Sequence, residues 1–519
     1  MGVIFETDKR RIIPRWRNHN VSLNSGILLP TNNIITESPI VYSSNTIFEQ
    51  INSWNKNKTL GHACDLFSSA YVLGIENEFY DLAIFLLENK DKISSVLLRQ
   101  VEKVINPDIN RIEDIDIHLD FFSNEGQQKI RNEISRIRNY LKKEPNNPIG
   151  WIELARNHTY LNNQEKAKNC ILSALTTDKN DNRFVLRSAS RFFHHYDDPE
   201  RAHNIIKKAK NLTSDPWLLS TEIAFSTILK KNSRYVKKAQ NLVNSKNIDP
   251  FHISELASAI GSVELTNGSY TSARKYYLKA MIKPTDNTVA QVLWLRKELP
   301  GLDKFYQTNK VPLAFEANAH NAYYNDNYKD AFANAMRWFD DEPYSTLPIR
   351  LASYIASTFQ GEHKKSITLL EHGLKINPTD NLLLNNLAYN LLLDNQTQKA
   401  EFHFKHIISK EIDDFTEDES VPIIATAGLI YYRQGLPEKG MEYYEKAIKL
   451  AKSRNNDYQV ALATANYARE ELICESKNLD KIIARLEIVT KGVQEKDVVI
   501  LKRKVLADFE KYKLKKLTS

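Results

Sequence analysis

A recurring two-helix pattern is the feature that most constrains how this chain can fold. Residues 148–177 read PIGWIELARNHTYLNNQEKAKNCILSALTT. Trp151, Leu154 and Ala155 lie at the three- and four-residue offsets that share one helix face, and the same spacing resumes at Ala167 after a polar break. The pattern predicts two amphipathic helices joined by a tight turn. Because one such pair cannot bury its apolar faces alone, we expect copies to stack.

The pattern returns down most of the chain. Pro216 and Pro250 lie 34 residues apart, and each follows an Asp. Further copies are recognisable in the segments 183–214, 216–250 and 254–286, and in four later segments around Ala319, Leu351, Leu387 and Ala427. A period of 34 residues indicates an array of helix pairs rather than one globular domain.

Length and composition agree with such an array. Single hydrophobic cores stop growing at roughly 250–300 residues, and this chain has 519. Apolar residues make up 42% and charged residues 26%, while only 15 Gly and 17 Pro occur. So few turn-forming residues argue against an all-β fold.

The series resembles the tetratricopeptide repeat (TPR) family. Its best-formed copy, residues 254–286, has Ile260-Gly261 where that family has Leu-Gly, and its second helix carries Tyr270, Ala273, Tyr277, Ala280 and Pro284. The resemblance implies an all-α fold: a right-handed α-solenoid of antiparallel helix pairs, a TPR-like superhelix, with an irregular N-terminal arm.

Five regions follow from the pattern. They are an extended basic arm at 1–45, a divergent helical region at 46–124, a first array of repeats at 125–311, a second array at 312–452, and capping helices with a basic last helix at 453–519. An acidic insertion, Asp413–Pro422, interrupts the second array and is interpreted as a solvated loop.

The arm contains a candidate contact site for a partner protein. It combines basic side chains with one tryptophan: Arg10, Arg11, Arg15, Trp16 and Arg17. Arg and Trp are enriched at interface hot spots. The alternative is a flexible basic tail.

The resemblance also implies which side chains line the concave groove, because first helices form that surface in the family. Transferring its phase gives a basic end, a middle and an apolar end. The basic end has Arg156, Arg187 and Arg191, suited to a carboxylate or phosphate; the middle has His320 and Tyr323; the apolar end has Leu351, Ile355, Leu382, Tyr389, Leu392, Leu429 and Tyr432.

Something is expected to fill the apolar end of the groove. The segment 381–394 is apolar on more than one face, which predicts burial on several sides. The candidates are a partner's helix or extended peptide, the chain's own arm or C-terminal helix, and the next superhelical turn.

No catalytic or metal-binding constellation is evident. Glycine-rich phosphate loops, HExxH and GxSxG are absent, and Gly361–Ser366 is predicted to be a turn between helices. His194, His195 and His203 lack ligands at metal spacing, and the three cysteines are odd in number and far apart. We therefore predict a non-enzymatic chain without cofactor or metal. The charged N-terminus and the lack of an apolar span predict a cytoplasmic protein that does not cross a membrane.

The leading hypothesis is an interaction scaffold or adaptor that holds partner proteins in a larger complex through the groove and the arm. A second hypothesis is nucleic-acid binding through the basic termini, where the C-terminal cluster is Lys502, Arg503, Lys504, Lys511, Lys513, Lys515 and Lys516. A third is a peptide-responsive regulator built on such repeats. The identity of the partners and the oligomeric state stay open.

Overall fold

The structure is a computed structural model, and it describes most of the chain. The described residues are 44–73, 79–93, 95–105, 123–179, 182–196, 198–245, 248, 250–296, 298–302, 311, 314–408, 415 and 417–518. All regular structure among these residues is helical, so the predicted all-α fold is confirmed.

Twenty-five α-helices occur in the described part of the chain. The first thirteen are α1 Ser44–Lys56, α2 Leu60–Leu73, α3 Tyr80–Glu88, α4 Ser95–Ile105, α5 Asn124–Lys143, α6 Pro148–Tyr160, α7 Gln164–Asp178, α8 Arg183–His195, α9 Pro199–Lys207, α10 Pro216–Ile228, α11 Val236–Asn244, α12 Pro250–Thr266 and α13 Tyr270–Ala280. The others are α14 Asp286–Trp294, α15 Phe315–Tyr324, α16 Tyr328–Asp341, α17 Leu347–Thr358, α18 His363–Ile376, α19 Asn381–Leu393, α20 Thr397–Ile408, α21 Glu417–Arg433, α22 Pro437–Ser453, α23 Asp457–Ile473, α24 Leu479–Val489 and α25 Lys496–Thr518.

Several first helices begin at an Asn or Asp that caps free backbone N–H groups. The side chain of Asn147 accepts hydrogen bonds from the backbone of Ile149 and Gly150, and Asp215 accepts from Trp217 and Leu218. A proline follows each of these two caps, where its missing N–H and fixed φ suit the first helical turn. The Asp-Pro pairs found in the sequence therefore mark where first helices start.

The described residues form two compact units, one from residues 44–325 together with Arg337–Tyr344, and the other from Asp326–Met336 together with residues from Ser345 onward. We call them the N-terminal unit and the C-terminal unit. The domain boundaries predicted at 45, 124, 311 and 452 stay predictions.

In the N-terminal unit, helices pack in chain order. Helices α2 to α4 share a small core around Phe67, Leu86 and Val101. From α6 onward each first helix packs on its own second helix and on the next first helix, as α6 does on α7 and α8, and α12 does on α13 and α14. The apolar interior runs between these layers.

The C-terminal unit repeats the arrangement. Its successive pairs are α17 and α18, α19 and α20, α21 and α22, and α23 and α24. The last described helix, α25, packs on α23. The helix predicted at 495–516 is thus present at Lys496–Thr518.

Glycines allow the two helices of a pair to approach closely. A Cβ built at Gly261 would lie 2.8 Å from the ring of Tyr277 on the second helix, and one at Gly440 would lie 2.6 Å from Cε2 of Tyr432. Gly361 has a φ of +70° between α17 and α18, as the predicted turn requires. These positions explain the Leu-Gly-like signals of the sequence.

One local prediction is wrong. The acidic insertion at Asp413–Pro422 was interpreted as a loop, but α21 already begins at Glu417 and includes Pro422. Acidic residues near a helix N-terminus are favoured by the helix dipole, so their charge does not indicate a loop there. The side chain of Val421 is fully buried, which anchors this first part of the helix.

No helix in the described ranges has the length and apolar character needed to cross a bilayer.

Candidate functional site

The predicted basic end of the groove lies in the N-terminal unit, and its arginines bind carboxylates of the same chain. Arg187, on α8, donates to Oε2 of Glu255, on α12, at 2.6 Å. These two first helices belong to pairs separated by one intervening pair. The Arg187 guanidinium also lies 4.9 Å from the ring centroid of Trp217, on the intervening first helix.

Both members of this ion pair are buried. The side chain of Arg187 is 8% exposed and that of Glu255 is 3% exposed. Desolvation lowers the pKa of Arg187 and raises the pKa of Glu255, while their mutual attraction opposes both shifts. Because water is excluded, each charge depends on the other for its stability.

A second buried ion pair lies at the same end of the predicted groove. Arg191 donates to Oε1 of Glu342, which lies 151 residues later in the chain and within the same unit. Both side chains are almost fully buried. The other carboxylate oxygen of Glu342 accepts a 3.1 Å hydrogen bond from Nε1 of Trp338. Arg191 is therefore held by a carboxylate that is itself fixed.

Arg156 contacts the same stretch of chain. Its Nη2 donates to the backbone carbonyl of Asp340 at 2.7 Å, and the hydroxyl of Tyr160 donates to the Asp340 carboxylate at 2.6 Å. The ring of Tyr344 packs 5.3 Å from the ring of His195. Residues 337–344 thus cover the first helices α6 and α8 with acidic and aromatic groups.

The middle of the predicted groove is also internal to the N-terminal unit. His320 is 2% exposed, and its ring lies 5.0 Å from Trp294 and 5.7 Å from Trp338. Glu316 accepts a 3.1 Å hydrogen bond from Nε1 of Trp294. Tyr323, one turn after His320, is half-buried.

The predicted apolar end lies in the C-terminal unit and is buried there. The aliphatic members are each 3% exposed or less: Leu351, Ile355, Leu382, Leu392 and Leu429. Their apolar character is explained by packing between first helices and their neighbours. No surface trough is needed to account for it.

The two tyrosines of this end bond across the groove. The hydroxyl of Tyr389, on α19, donates to Oδ1 of Asn466 at 3.0 Å and accepts from Nη1 of Arg469 at 3.2 Å. Both partners lie on α23, again with one helix pair between. Tyr432, on α21, donates to Glu471 of the same helix α23. Burial and this bond raise the pKa of Tyr432 well above its usual value.

Next to these tyrosines, one buried carboxylate binds two arginines. Glu470 is 1% exposed and receives both Arg469, at 2.7 Å, and Arg433, at 3.1 Å. The arrangement parallels Arg187 and Glu255 in the N-terminal unit. In each unit, side chains of different first helices are therefore bonded to one another.

The sequence pattern did not reveal the bonding partners of the predicted groove residues. Glu255, Glu342, Asn466 and Arg469 were not singled out. The available signal was a charged residue within a helix that is otherwise small and apolar, as Glu255 is in α12, because a buried carboxylate requires a cation. The partner-binding role of the groove residues stays a prediction. The arm residues Arg10, Arg11, Arg15, Trp16 and Arg17 lie outside the described residues.

One buried polar cluster has the residue types of a hydrolase site without its geometry. His203, Glu222 and Ser226 are 7%, 4% and 2% exposed. Both Glu222 and Ser226 contact the same ring nitrogen of His203, Nε2, at 3.3 Å. A relay needs a nucleophile on one ring nitrogen and a carboxylate on the other, so this cluster does not form one.

No group of three or more His, Cys, Asp or Glu side chains in the described ranges is arranged to hold a metal ion. Cys64, Cys170 and Cys474 are free thiols, and burial raises the pKa of Cys170 to about 11. A thiol with so high a pKa is a poor nucleophile at neutral pH.

Comparison with known proteins gives one family match and several remote structural ones. Residues 421–454, which include most of α21 and all of α22, match the family model "Tetratricopeptide repeat". A search of curated protein sequences gave no significant match.

Solved structures of low similarity were also found. Yeast Tom70 is 15% identical, with 79% of this chain and 96% of that chain covered and a TM-score of 0.30. The APC/C hetero-tetramer Cut9-Hcn1 is 14% identical, with 89% and 92% covered and a TM-score of 0.35. The human IFIT1 dimer with PPP-AAAA is 13% identical, with 78% and 93% covered and a TM-score of 0.30.

The identification rests on the helix pairs themselves and on the matched repeat. Gly428 and Gly440, both within the match, face each other where α21 and α22 cross, since a Cβ at Gly428 would lie 3.0 Å from the carbonyl oxygen of Gly440. Residues 421–454 thus match one tetratricopeptide repeat, and the other described helices form similar antiparallel pairs in an all-α helical repeat array.

Proposed function

We propose that this chain is a non-enzymatic scaffold that holds partner proteins in a larger complex. The observation that carries the proposal is the tetratricopeptide array, because stacked helix pairs create a long surface without supplying reactive groups. The buried polar clusters of the described residues bond to one another rather than converge on a cavity that a substrate could enter.

The burial of the predicted groove residues affects where a partner would bind. Side chains such as Leu351 and Ile355, which are fully buried, would contact a partner only after the bonds between first helices open. We therefore propose the N-terminal arm and the accessible outer helices as the contact sites of the closed form. Trp16 and its neighbouring arginines would supply the arm's anchor.

We place the protein in the cytoplasm, because its thiols are free and no pairing of them would stabilise the fold. Nucleic-acid binding is the competing proposal for the basic termini. This competing proposal predicts that binding weakens steeply as the salt concentration rises. It does not require an apolar contact between Trp16 and a protein partner.

The test is affinity purification of the full chain from its native source, followed by quantitative mass spectrometry and cross-linking. The variant Arg15→Ala/Trp16→Ala/Arg17→Ala is compared with Asn32→Ala/Asn33→Ala, a matched change in the same arm. The proposal expects a stoichiometric partner protein that is lost only with the first variant. A chain that purifies alone, or with nuclease-sensitive nucleic acid only, contradicts it.

A further inference from the structure

The last helix, α25, presents two different apolar faces. One face packs against the C-terminal unit through Val498, Val505 and Phe509, which are 1%, 1% and 5% exposed. With 100° per residue, the direction opposite these side chains is that of Ile500, Ala507 and Leu514. A helix packed on one side usually has a polar opposite face, so a second apolar line here requires a reason.

The outer line is accessible and regularly spaced. Ile500 is 39% exposed, Leu514 is 64% exposed, and Ala507 between them is also exposed. The three residues follow one another at intervals of seven. A line at this interval supplies one of the two positions per heptad that a coiled-coil seam uses, and the intermediate positions here are the charged residues Arg503, Lys504, Glu510 and Lys511.

Basic side chains flank this line. Arg503, Lys504, Lys511 and Lys515 are exposed on its two sides, where Glu510 is the acidic residue. Between Val499 and Lys516 the sequence has seven Lys or Arg and two acidic residues. Lys511 pairs with Asp508 at 3.1 Å, but exposed pairs of this kind contribute little. The flanks are therefore strongly positive.

We propose that α25 docks an acidic amphipathic helix of a partner protein along Ile500, Ala507 and Leu514. The proposal deepens the scaffold function and rests on it. The partner helix supplies apolar residues at heptad spacing for the seam, and Glu or Asp beside them for the basic flanks.

The charge pattern selects this occupant over others. A second copy of α25 would place Lys504, Lys511 and Lys515 against basic residues again, which repels in either orientation. A membrane surface binds helices that present a broad apolar face, and the broad face of α25 is already packed on the protein. Nucleic acid would use the lysines but leave the exposed Leu514 without a role.

The experiment measures binding of a defined peptide to the full chain. The probe is a fluorescent helical peptide of three heptads, with Leu at the seam positions and Glu at the flanking ones, followed by fluorescence anisotropy. We expect saturable binding that weakens about tenfold or more in Leu514→Glu and in Ile500→Glu, because each change places a charge in the seam. Phe402→Ser, at a side chain 63% exposed on α20, is the matched control and should leave binding unchanged.

A charge exchange tests the flanks. Lys504→Glu/Lys511→Glu should lose the acidic peptide and gain the same peptide with Lys in place of Glu. A sequence-scrambled acidic peptide should not bind, since it keeps the charge but loses the seam. Equal binding of wild type and Leu514→Glu, or no binding by wild type at 100-fold peptide excess, overturns the proposal.

Other occupants give distinct results. A dimer seen by analytical ultracentrifugation and lost in Leu514→Glu would assign the seam to a second copy and overturn the proposal. So would binding of anionic vesicles or of an oligonucleotide that is lost in the same variant. If a partner protein still co-purifies with both α25 variants, the scaffold function stands and only the docking proposal fails.

Discussion

Removing one member of the Arg187–Glu255 ion pair should open the N-terminal unit. Both side chains are less than 10% exposed, and their closest atoms are 2.6 Å apart. Two opposite unit charges about 4 Å apart attract by about 4 kcal/mol at an effective dielectric constant of about 20. Glu255→Gln removes that attraction and leaves the Arg187 charge buried. We expect a loss of about 3–5 kcal/mol in the local opening free energy.

The double variant distinguishes the pair from its individual members. Arg187→Met alone leaves Glu255 buried without its cation, and we expect a similar loss. Arg187→Met/Glu255→Gln has no unpaired charge, so it should lose no more than either single variant does. The coupling free energy of the cycle should then be about 3 kcal/mol or more.

The suitable assay is native-state hydrogen exchange with mass spectrometry, read on the amides of α8 and α12. Long repeat arrays need not unfold in two states, and exchange reports each helix separately. Glu200→Gln is the matched control, because Glu200 forms an ion pair with Lys231 in the same unit but both side chains are more than half exposed. That variant should change the opening free energy by less than about 1 kcal/mol. Additive losses in the double variant, or an effect of Glu255→Gln no larger than the control, would refute the reasoning.

Three further predictions concern the C-terminal unit. Burial lowers the pKa of His372 to about 4, below its value of about 6.5 in the unfolded chain. The free energy of unfolding should therefore fall as pH drops from about 6.5 to 4. His372→Gln should remove about 3 kcal/mol of that loss, measured by urea titrations at pH 7 and pH 4. Gly440→Ala should cost about 1–3 kcal/mol by thermal unfolding, because the new methyl would overlap Tyr432, whereas Gly61→Ala, with nothing within 4 Å, should be neutral or slightly stabilising. Tyr389→Phe should cost about 1–2 kcal/mol in exchange of α19 and α23, since two hydrogen bonds are lost.

The helices and their pairing could be predicted from sequence because both depend on short-range patterns. Offsets of three and four residues identify a helix face, and Asp-Pro pairs mark where α10 and α12 begin. The exception at Glu417 arose because acidic residues suit a helix N-terminus as well as a loop. Pattern alone does not separate the two.

The long-range contacts of the predicted groove residues could not be predicted in the same way. Arg191 and Glu342 are 151 residues apart, and Arg156 contacts Asp340 at a separation of 184. Whether such residues meet depends on small rotations between successive pairs, added over many repeats. The helix phase predicted Arg156, Arg187 and Arg191 at one end of a groove, and that grouping stays a prediction. It contained no information on how tightly the array is wound.

The central claim is that the side chains predicted to line the groove are buried by contacts within their own unit, and hydroxyl-radical footprinting of the full chain tests it most directly. Tyr389 and Tyr432, 8% and 4% exposed, should oxidise at least tenfold more slowly than Tyr270 and Phe402, which are 56% and 63% exposed. Oxidation of Tyr389 and Tyr432 at rates like that of Tyr270 would show an open groove and contradict the account.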